Sequence, residues 1–345
     1  MPRTYIVLTE GHSEPHAAKT ACSVIRYRTS EVLAVLDSQQ RGRTTQEVLS
    51  VGGAIPFVDS LDSAPTANTL LIGIAPVGGK IPAAWRAIIL QAIERGMDVV
   101  SGLHDFLADD PEFAAAAARR GVQLIDVRRN RERQVAERIG LRDDCLRIHT
   151  VGHDCSVGKM VTAIEVTNEL KRRGRDAKFL ATGQTGIMVE GDGVPVDCVV
   201  ADFVSGAIEQ LVLKHQHHEF LLIEGQGSLV HPAYSGVTLG LLHGCAPHGL
   251  ILCYEIGRET ITGVPSMRIP PLSEIKRLNE VMANVMRPCQ VIGIALNSRQ
   301  VSAEEAAVER ARVRAELRLP VCDVFRDGPQ ELADAVLKLR EEVSP

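Results

Sequence analysis

The chain has 345 residues, 45% hydrophobic and 23% charged, with a net charge of −5; this length suits two domains and gives each enough apolar material for a core without metals or disulfides. Aromatic residues are only 3%, which argues against single-stranded nucleic-acid binding on stacking platforms and leaves Val, Ile, Leu and Ala to build cores of the kind parallel sheets bury under helices. The negative balance predicts no broad attraction to nucleic acid or anionic membrane, and no apolar run is long enough to span a bilayer.

In chain order, the first section alternates β-branched runs with helical ones. Strands are expected over 5–8, 32–36, 69–74, 98–101 and 122–127, and helices over 17–26, 82–95 and 111–120, the last two closed by Gly96 and Gly121. This β-α-β rhythm predicts an α/β domain with a parallel sheet over residues 1–130. A charged stretch follows, RRNRERQVAERIGLR. Glu132 and Glu137 interleave with its arginines, so it reads as a solvated linker helix over 131–146 rather than a basic patch.

The larger domain, 147–345, opens with a strand over 147–151, a Gly-rich turn and a helix over 159–173 ended by Gly174. Further strands are expected over 177–181, 196–200, 220–223, 250–253, 291–296 and 321–325, with helices over 273–286, 303–317 and 329–342. The eight cysteines include no C-x-x-C pair and sit mostly in apolar runs. They are expected to be reduced and buried, with no metal site among them. The first nine residues lack the charged-then-apolar design of a signal peptide, so a cytoplasmic location is expected.

The strongest motif is strand, then Gly152-His153-Asp154-Cys155-Ser156-Val157-Gly158-Lys159-Met160, then helix. Glycines let main-chain N–H groups approach phosphate oxygens, the helix N-terminus adds its positive end, and Lys159 supplies a point charge. Two features depart from the usual P-loop. Five residues rather than four separate Gly152 from Gly158, and Met160 stands where a Ser or Thr would hold Mg²⁺. A thioether is a poor ligand for a hard cation. The loop therefore suits a ligand whose phosphates are a handle, such as coenzyme A.

In a parallel sheet, ligands bind at the carboxyl ends of the strands. Acids, amides and one imidazole recur there: Gln184, Asp192, Asp202, Glu224, Gln226 and His231, with Arg258 at the end of the 250–253 strand. Glu224 follows four apolar residues, as a Walker B carboxylate does. Glu224, Asp192 and His231 are the candidate general bases. Gln184, Asp202, Gln226 and Arg258 are candidate substrate contacts, with Arg258 suited to clamp a carboxylate through two hydrogen bonds.

The blocks GHDCSVGKM, ATGQTGIMVEGDGVPVD, VVADFVSGAIEQLV, IEGQGSLVHPAYSGVTLGLLHG and EIGR, in that order, resemble a P-loop family long catalogued as a domain of unknown function. A member of that family is a D-glutamate N-acetyltransferase using acetyl-CoA. The resemblance covers nearly the whole chain. It implies an N-terminal Rossmann-like parallel-sheet domain, a larger C-terminal P-loop NTPase-like domain, and transfer of acetyl from acetyl-CoA to a D-amino acid, with residues 152–160 as the CoA phosphate site. A weaker, fold-level resemblance to dethiobiotin synthetase rests on the five-residue loop spacing. It implies the alternative of an ATP/Mg-dependent ligase or kinase, with Asp202 or Glu224 holding Mg²⁺. A third reading is a protein that senses nucleotide or CoA without catalysis. The expected partners are a small acidic D-amino acid and further copies of the same chain, with neither nucleic acid nor membrane.

Overall fold

Nearly all the short β-branched and leucine-rich runs become strands of two all-parallel sheets, buried on both faces beneath helices. The computed structural model describes residues 2–76 and 78–343. Met1, Val77, Ser344 and Pro345, which fall within the expected domains 1–130 and 147–345, lie outside the described residues. The chain divides into two units, 1–130 with 187–191, and 131–186 with 192–345.

The first unit runs β1 (Tyr5–Leu8), α1 (Lys19–Tyr27), β2 (Val32–Leu36), α2 (Thr45–Leu49), β3 (Phe57–Val58), β4 (Thr69–Ile72), α3 (Arg86–Glu94), β5 (Asp98–Ser101), α4 (Pro111–Arg120) and β6 (Leu124–Asp126). The strand order is β3-β2-β1-β4-β5-β6, every pairing parallel, which is the doubly wound Rossmann arrangement. Ile6, Leu8, Leu70, Ile72 and Val99 point into one core with Trp85, Ile89 and Phe113. The alternate residues Tyr5, Val7, Val35 and Leu71 point into the other, as the two-residue period of a strand requires. Two elements went unanticipated. One is the two-residue β3; the other is α2, which is opened by a reciprocal capping box between Thr44 and Glu47.

The second unit runs β7 (Leu146–Gly152), α5 (Lys159–Arg172), β8 (Ala177–Leu180), the start of α6 (Gln184–Glu190, whose residues from Ile187 on belong to the first unit), α7 (Val204–His215), β9 (Phe220–Ile223), α8 (Ser235–Cys245), β10 (Gly249–Glu255), β11 (Thr260–Ile261), β12 (Val264–Arg268), α9 (Leu272–Asn284), β13 (Gln290–Asn297), α10 (Ala303–Leu317), β14 (Val321–Cys322) and α11 (Gln330–Val343). Its main sheet has the order β14-β13-β10-β7-β9-β8, again all parallel. After β7 the chain crosses to the β8 edge, returns through β9, and only then passes to β10 on the other side. The carboxyl end of β7 is therefore the point where strand order reverses. Among the described residues no helix is long and apolar enough to cross a membrane.

Two sequence expectations need correction, and one element was not expected at all. The stretch 131–142 contains no helix. It runs as an irregular strap over α7, where the amides of Glu137 and Arg138 donate to the Glu209 carboxylate at 2.8 and 2.9 Å. Those bonds replace the helical ladder. Residues 196–200 form no strand. Val194 and Val196 donate to the carbonyls of Ala181 and Thr182, consecutive acceptors where a parallel ladder takes alternate ones, and the chain turns into a 3₁₀ segment at Val196–Cys198. The hairpin β11–β12 was missed altogether. Its turn, Thr262-Gly263 between the paired Ile261 and Val264, carries Gly263 at φ 78°, a legible hairpin signal.

Candidate functional site

The site grows from the carboxyl ends of β7 and its neighbours. Seven consecutive residues of β7 are buried, so the strand is a fixed platform. The loop 152–158 leaves it and enters α5. Ser156 has φ 55° and Gly158 has φ 108°, a left-handed path that turns successive amides inward as an anion nest. Gly152 is needed for space: a Cβ there would lie 2.9 Å from Val157 and 3.2 Å from Lys159 Nζ. The 14-residue helix α5 begins with no side-chain cap, so its first amides and positive end are left to an anion. Lys159 is buried, its Nζ donating to the Asp154 carbonyl at 2.7 Å, and burial holds its pKa below the usual lysine value. Met160 occupies the next helical position and offers no oxygen to a hard cation.

The rest of the loop is braced rather than open. His153 Nε2 accepts from the Glu255 amide at 3.1 Å, and burial drives the imidazole down to about 3, so it stays neutral. Asp154 is fully buried. Its Oδ2 receives Thr262 N at 2.9 Å, Thr262 Oγ1 at 2.7 Å and Arg258 Nη1 at 3.0 Å. Burial works to raise this carboxyl, but the donors of Thr262, Cys155 and Arg258 together outweigh it and hold it low. Arg258 also donates to the Cys155 carbonyl at 2.6 Å and pairs with Glu255. Its guanidinium, expected to clamp a substrate carboxylate, is thus engaged in holding the phosphate loop.

On the other side of β7, the end of β9 presents Glu224. This carboxylate is 4% exposed. It accepts from Thr182 N at 2.8 Å and Gly183 N at 3.2 Å on one oxygen, and from Gln226 Nε2 at 2.9 Å on the other. Burial pushes it up to about 7, against the opposing pull of those donors and of nearby Lys159. Two glycines make the geometry possible. A Cβ on Gly186 would lie 2.3 Å from the Glu224 carboxylate, and one on Gly225 would lie 1.7 Å from the Thr150 carbonyl and 2.9 Å from the Lys159 stem. Gln184, on the first turn of α6, belongs to the same 182–186 turn that wraps Glu224.

The structure thus brings Glu224, Gln226 and Lys159 together, with Gln184 on the turn beside them. It does not bring the other expected residues to them. Asp192, 38% exposed, is held by Lys214 at 2.7 Å and His215 at 2.8 Å on α7. Burial works to raise it, and those two partners overcome this to keep its pKa low. That is a structural ion pair, not a poised base. His231 is buried with both ring nitrogens engaged: Nδ1 accepts from Ala233 N at 3.2 Å, leaving Nε2–H to donate to Thr262 O at 3.1 Å. It braces the hairpin that braces Asp154. Asp202 is exposed on the 3₁₀ turn Ala201–Phe203. Asp154, Cys155 and His231 place ligand atoms within 4.8 Å of one another, but the hydrogen bonds of Asp154 and His231 already occupy two of the three. Thr262 and Thr182, which brace Asp154 and Glu224, were not among the site residues expected from the sequence. Thr262 was hidden because the hairpin was not recognised.

Two family models match the chain. Residues 131–333 match a domain of unknown function (DUF1611_C), a P-loop domain, and residues 38–130 match its companion (DUF1611_N), a Rossmann-like domain. A D-glutamate N-acetyltransferase of Tritonibacter scottomollicae is 43% identical over 272 residues, 78% of this chain and 81% of that protein. Another, from a Pseudoalteromonas species, is 40% identical over 263 residues, 76% of this chain and 79% of that protein. The crystal structure of a DUF1611 family protein from Anabaena variabilis superposes with a TM-score of 0.91 at 37% identity, covering 98% of this chain and all of that one.

Proposed function

The chain belongs to the DUF1611 family, with its Rossmann-like and P-loop domains, and from that membership we propose that it is an N-acetyltransferase moving the acetyl group of acetyl-CoA to the amine of a D-amino acid, D-glutamate first among them. The observation that carries this reading is the similarity, over more than three-quarters of the chain, to two proteins named D-glutamate N-acetyltransferase.

The phosphate loop fits the CoA diphosphate. Its helix is uncapped, its path is left-handed at Ser156 and Gly158, and Lys159 lies inside it. The ATP/Mg alternative asks residue 160 for an oxygen ligand that Met160 lacks. Bound acetyl-CoA would supply an acyl thioester: the amine nitrogen bonds the acetyl carbon, the C–S bond breaks, and coenzyme A leaves as a thiolate that takes up a proton. Glu224 is our candidate for the general base. A carboxylate titrating at about 7 is ionised at slightly alkaline pH, yet basic enough to take a proton from an amine as it attacks. Thr182, Gly183 and Gln226 hold its two oxygens in place. Gln184 is the candidate donor to the carbonyl oxygen on which negative charge develops. Lys159 balances the diphosphate charge.

The test is release of free CoA from acetyl-CoA in the presence of a panel of D- and L-amino acids. Turnover that is highest with D-glutamate is expected. No turnover with any member of the panel would overturn the reading.

A further inference from the structure

An open groove of about 380 Å³ lies at the carboxyl ends of β10 and β13, with Glu255, Arg258, Arg299 and Val301 in its wall. That volume is within the range of about 300–1,000 Å³ typical of small-molecule sites. Nothing in the acetyl-transfer chemistry proposed above uses it. It is connected to the phosphate loop through one carboxylate. Glu255 is 5% exposed and receives Arg258 on one oxygen and Arg299 Nε on the other, the latter at 2.7 Å. Arg258 in turn bonds Asp154 and Cys155 of the loop. Arg299 is therefore one carboxylate and one guanidinium away from the phosphate nest.

The two arginines differ in what they have left to give. Arg258 is 16% exposed and engaged on all sides, whereas Arg299 is 41% exposed. With its Nε held by Glu255 and its side chain 41% exposed, Arg299 has the fork of its two terminal nitrogens left to offer. Such a fork suits phosphate better than a lysine does. The local charge favours an anion as well: in the groove wall one carboxylate, Glu255, faces two guanidiniums, Arg258 and Arg299.

The sheet order says which anion. Glu224 and its turn lie on the β9–β8 side of β7; Glu255 and Arg299 lie on the β10–β13 side. A ligand held by its diphosphate over β7 sends one arm to each side. In coenzyme A one arm is the pantetheine that carries the thioester, and the other is adenosine bearing a 3′-phosphate. If the thioester lies by Glu224, the 3′-phosphate lies by Arg299. The geometry points to Arg299 as the residue that recognises the 3′-phosphate of coenzyme A, and so separates CoA thioesters from nucleotides that lack this group. The inference rests on the acetyl-CoA reading.

It is tested by calorimetric titration of the full chain with adenosine 3′,5′-diphosphate and with ADP, which needs no turnover. The wild type is expected to bind the 3′,5′-diphosphate at least ten-fold more tightly than AMP, since the two differ only in the 3′-phosphate, while ADP against AMP reports the second 5′-phosphate separately. Arg299→Ala is expected to lose that preference while keeping its affinity for ADP within about three-fold, and Arg299→Lys to recover part of it. Melting curves confirm that each variant is folded. A wild type without the preference, or an Arg299→Ala protein that keeps it, overturns the assignment and leaves the acetyl-CoA reading of the loop standing. Failure of the wild type to bind any of the three nucleotides removes the loop as their phosphate site and the assignment with it.

Discussion

Glu224 is a carboxylate that the fold keeps at a cost, and the cost has a sign that can be measured. Its folded pKa is raised from 4.5 to about 7, so between those values the native state binds more protons than the unfolded chain and stability falls as pH rises. This group's penalty is absent below pH 4.5 and complete above about 7, where it amounts to roughly 3 kcal/mol. Glu224→Gln removes it, since a neutral amide has no charge to desolvate and its oxygen can still accept from the Thr182 and Gly183 amides. The variant should therefore melt higher than wild type at pH 8 and not at pH 4.5. Its activity should move the opposite way. Wild-type kcat/KM should fall as pH drops through about 7, and Glu224→Gln should lose about a hundred- to ten-thousand-fold together with that acid limb. An acid limb that persists in Glu224→Gln would assign the base elsewhere. At this scale the sequence was informative about residue type and uninformative about partners. Glu224 and the loop were legible from an apolar strand followed by an acid, and from glycines around a lysine. Asp192, Arg258 and His231 looked equally good, because nothing in the chain order showed that Lys214, Asp154 and Thr262 already held them.

Gly206 decides how the strap 131–142 lies on α7. A Cβ there would fall 2.0 Å from the Gln134 carbonyl oxygen, and a backbone atom cannot step aside as a side chain can. Alanine gains about 1 kcal/mol of helix propensity. It would also lift the strap and break the bonds from the Glu137 and Arg138 amides to Glu209, each worth about 1.5–3 kcal/mol as a hydrogen bond to a charged group. The steric term wins. Gly206→Ala should lower the melting temperature and speed trypsin cleavage at Arg131, Arg133 and Arg138; unchanged melting and cleavage would show the strap to be loosely held in the wild type. The strap also shows where element reading from sequence stops. Strands β1, β2, β5 and β9 and helices α4 and α10 were legible to the residue: in α4 periodicity, Pro111 at N1 and Gly121 at the end agree, and in α10 strong helix formers follow Ser302 and its capping box with Glu305. The strap has helical composition, yet its amides find a better acceptor in a carboxylate 72 positions away. Short pieces such as β3 and the hairpin β11–β12 have too few residues to show a period at all.

Both units place apolar strands in parallel and gather loops at the carboxyl ends, but the left-handed loop with its uncapped helix and buried lysine occurs in the second. Ligand linkage follows from this asymmetry. A molecule that binds the native state alone stabilises it by RT ln(1 + [L]/Kd), about 2.7 kcal/mol at a hundred times Kd. For a body of about 200 residues that moves the melting temperature by roughly 5–10 °C. Coenzyme A should therefore raise the transition of the loop-bearing unit by that amount, and where calorimetry resolves two transitions the other should stay in place. Lys159→Ala should abolish the shift. Its loss also relieves a buried ammonium whose pKa burial already depresses, so the unliganded variant should be no less stable than wild type at neutral pH. Reduced affinity then cannot be mistaken for unfolding. A shift that survives Lys159→Ala would place coenzyme A away from the loop, since a diphosphate held over β7 needs the Lys159 ammonium buried beneath it to balance its charge.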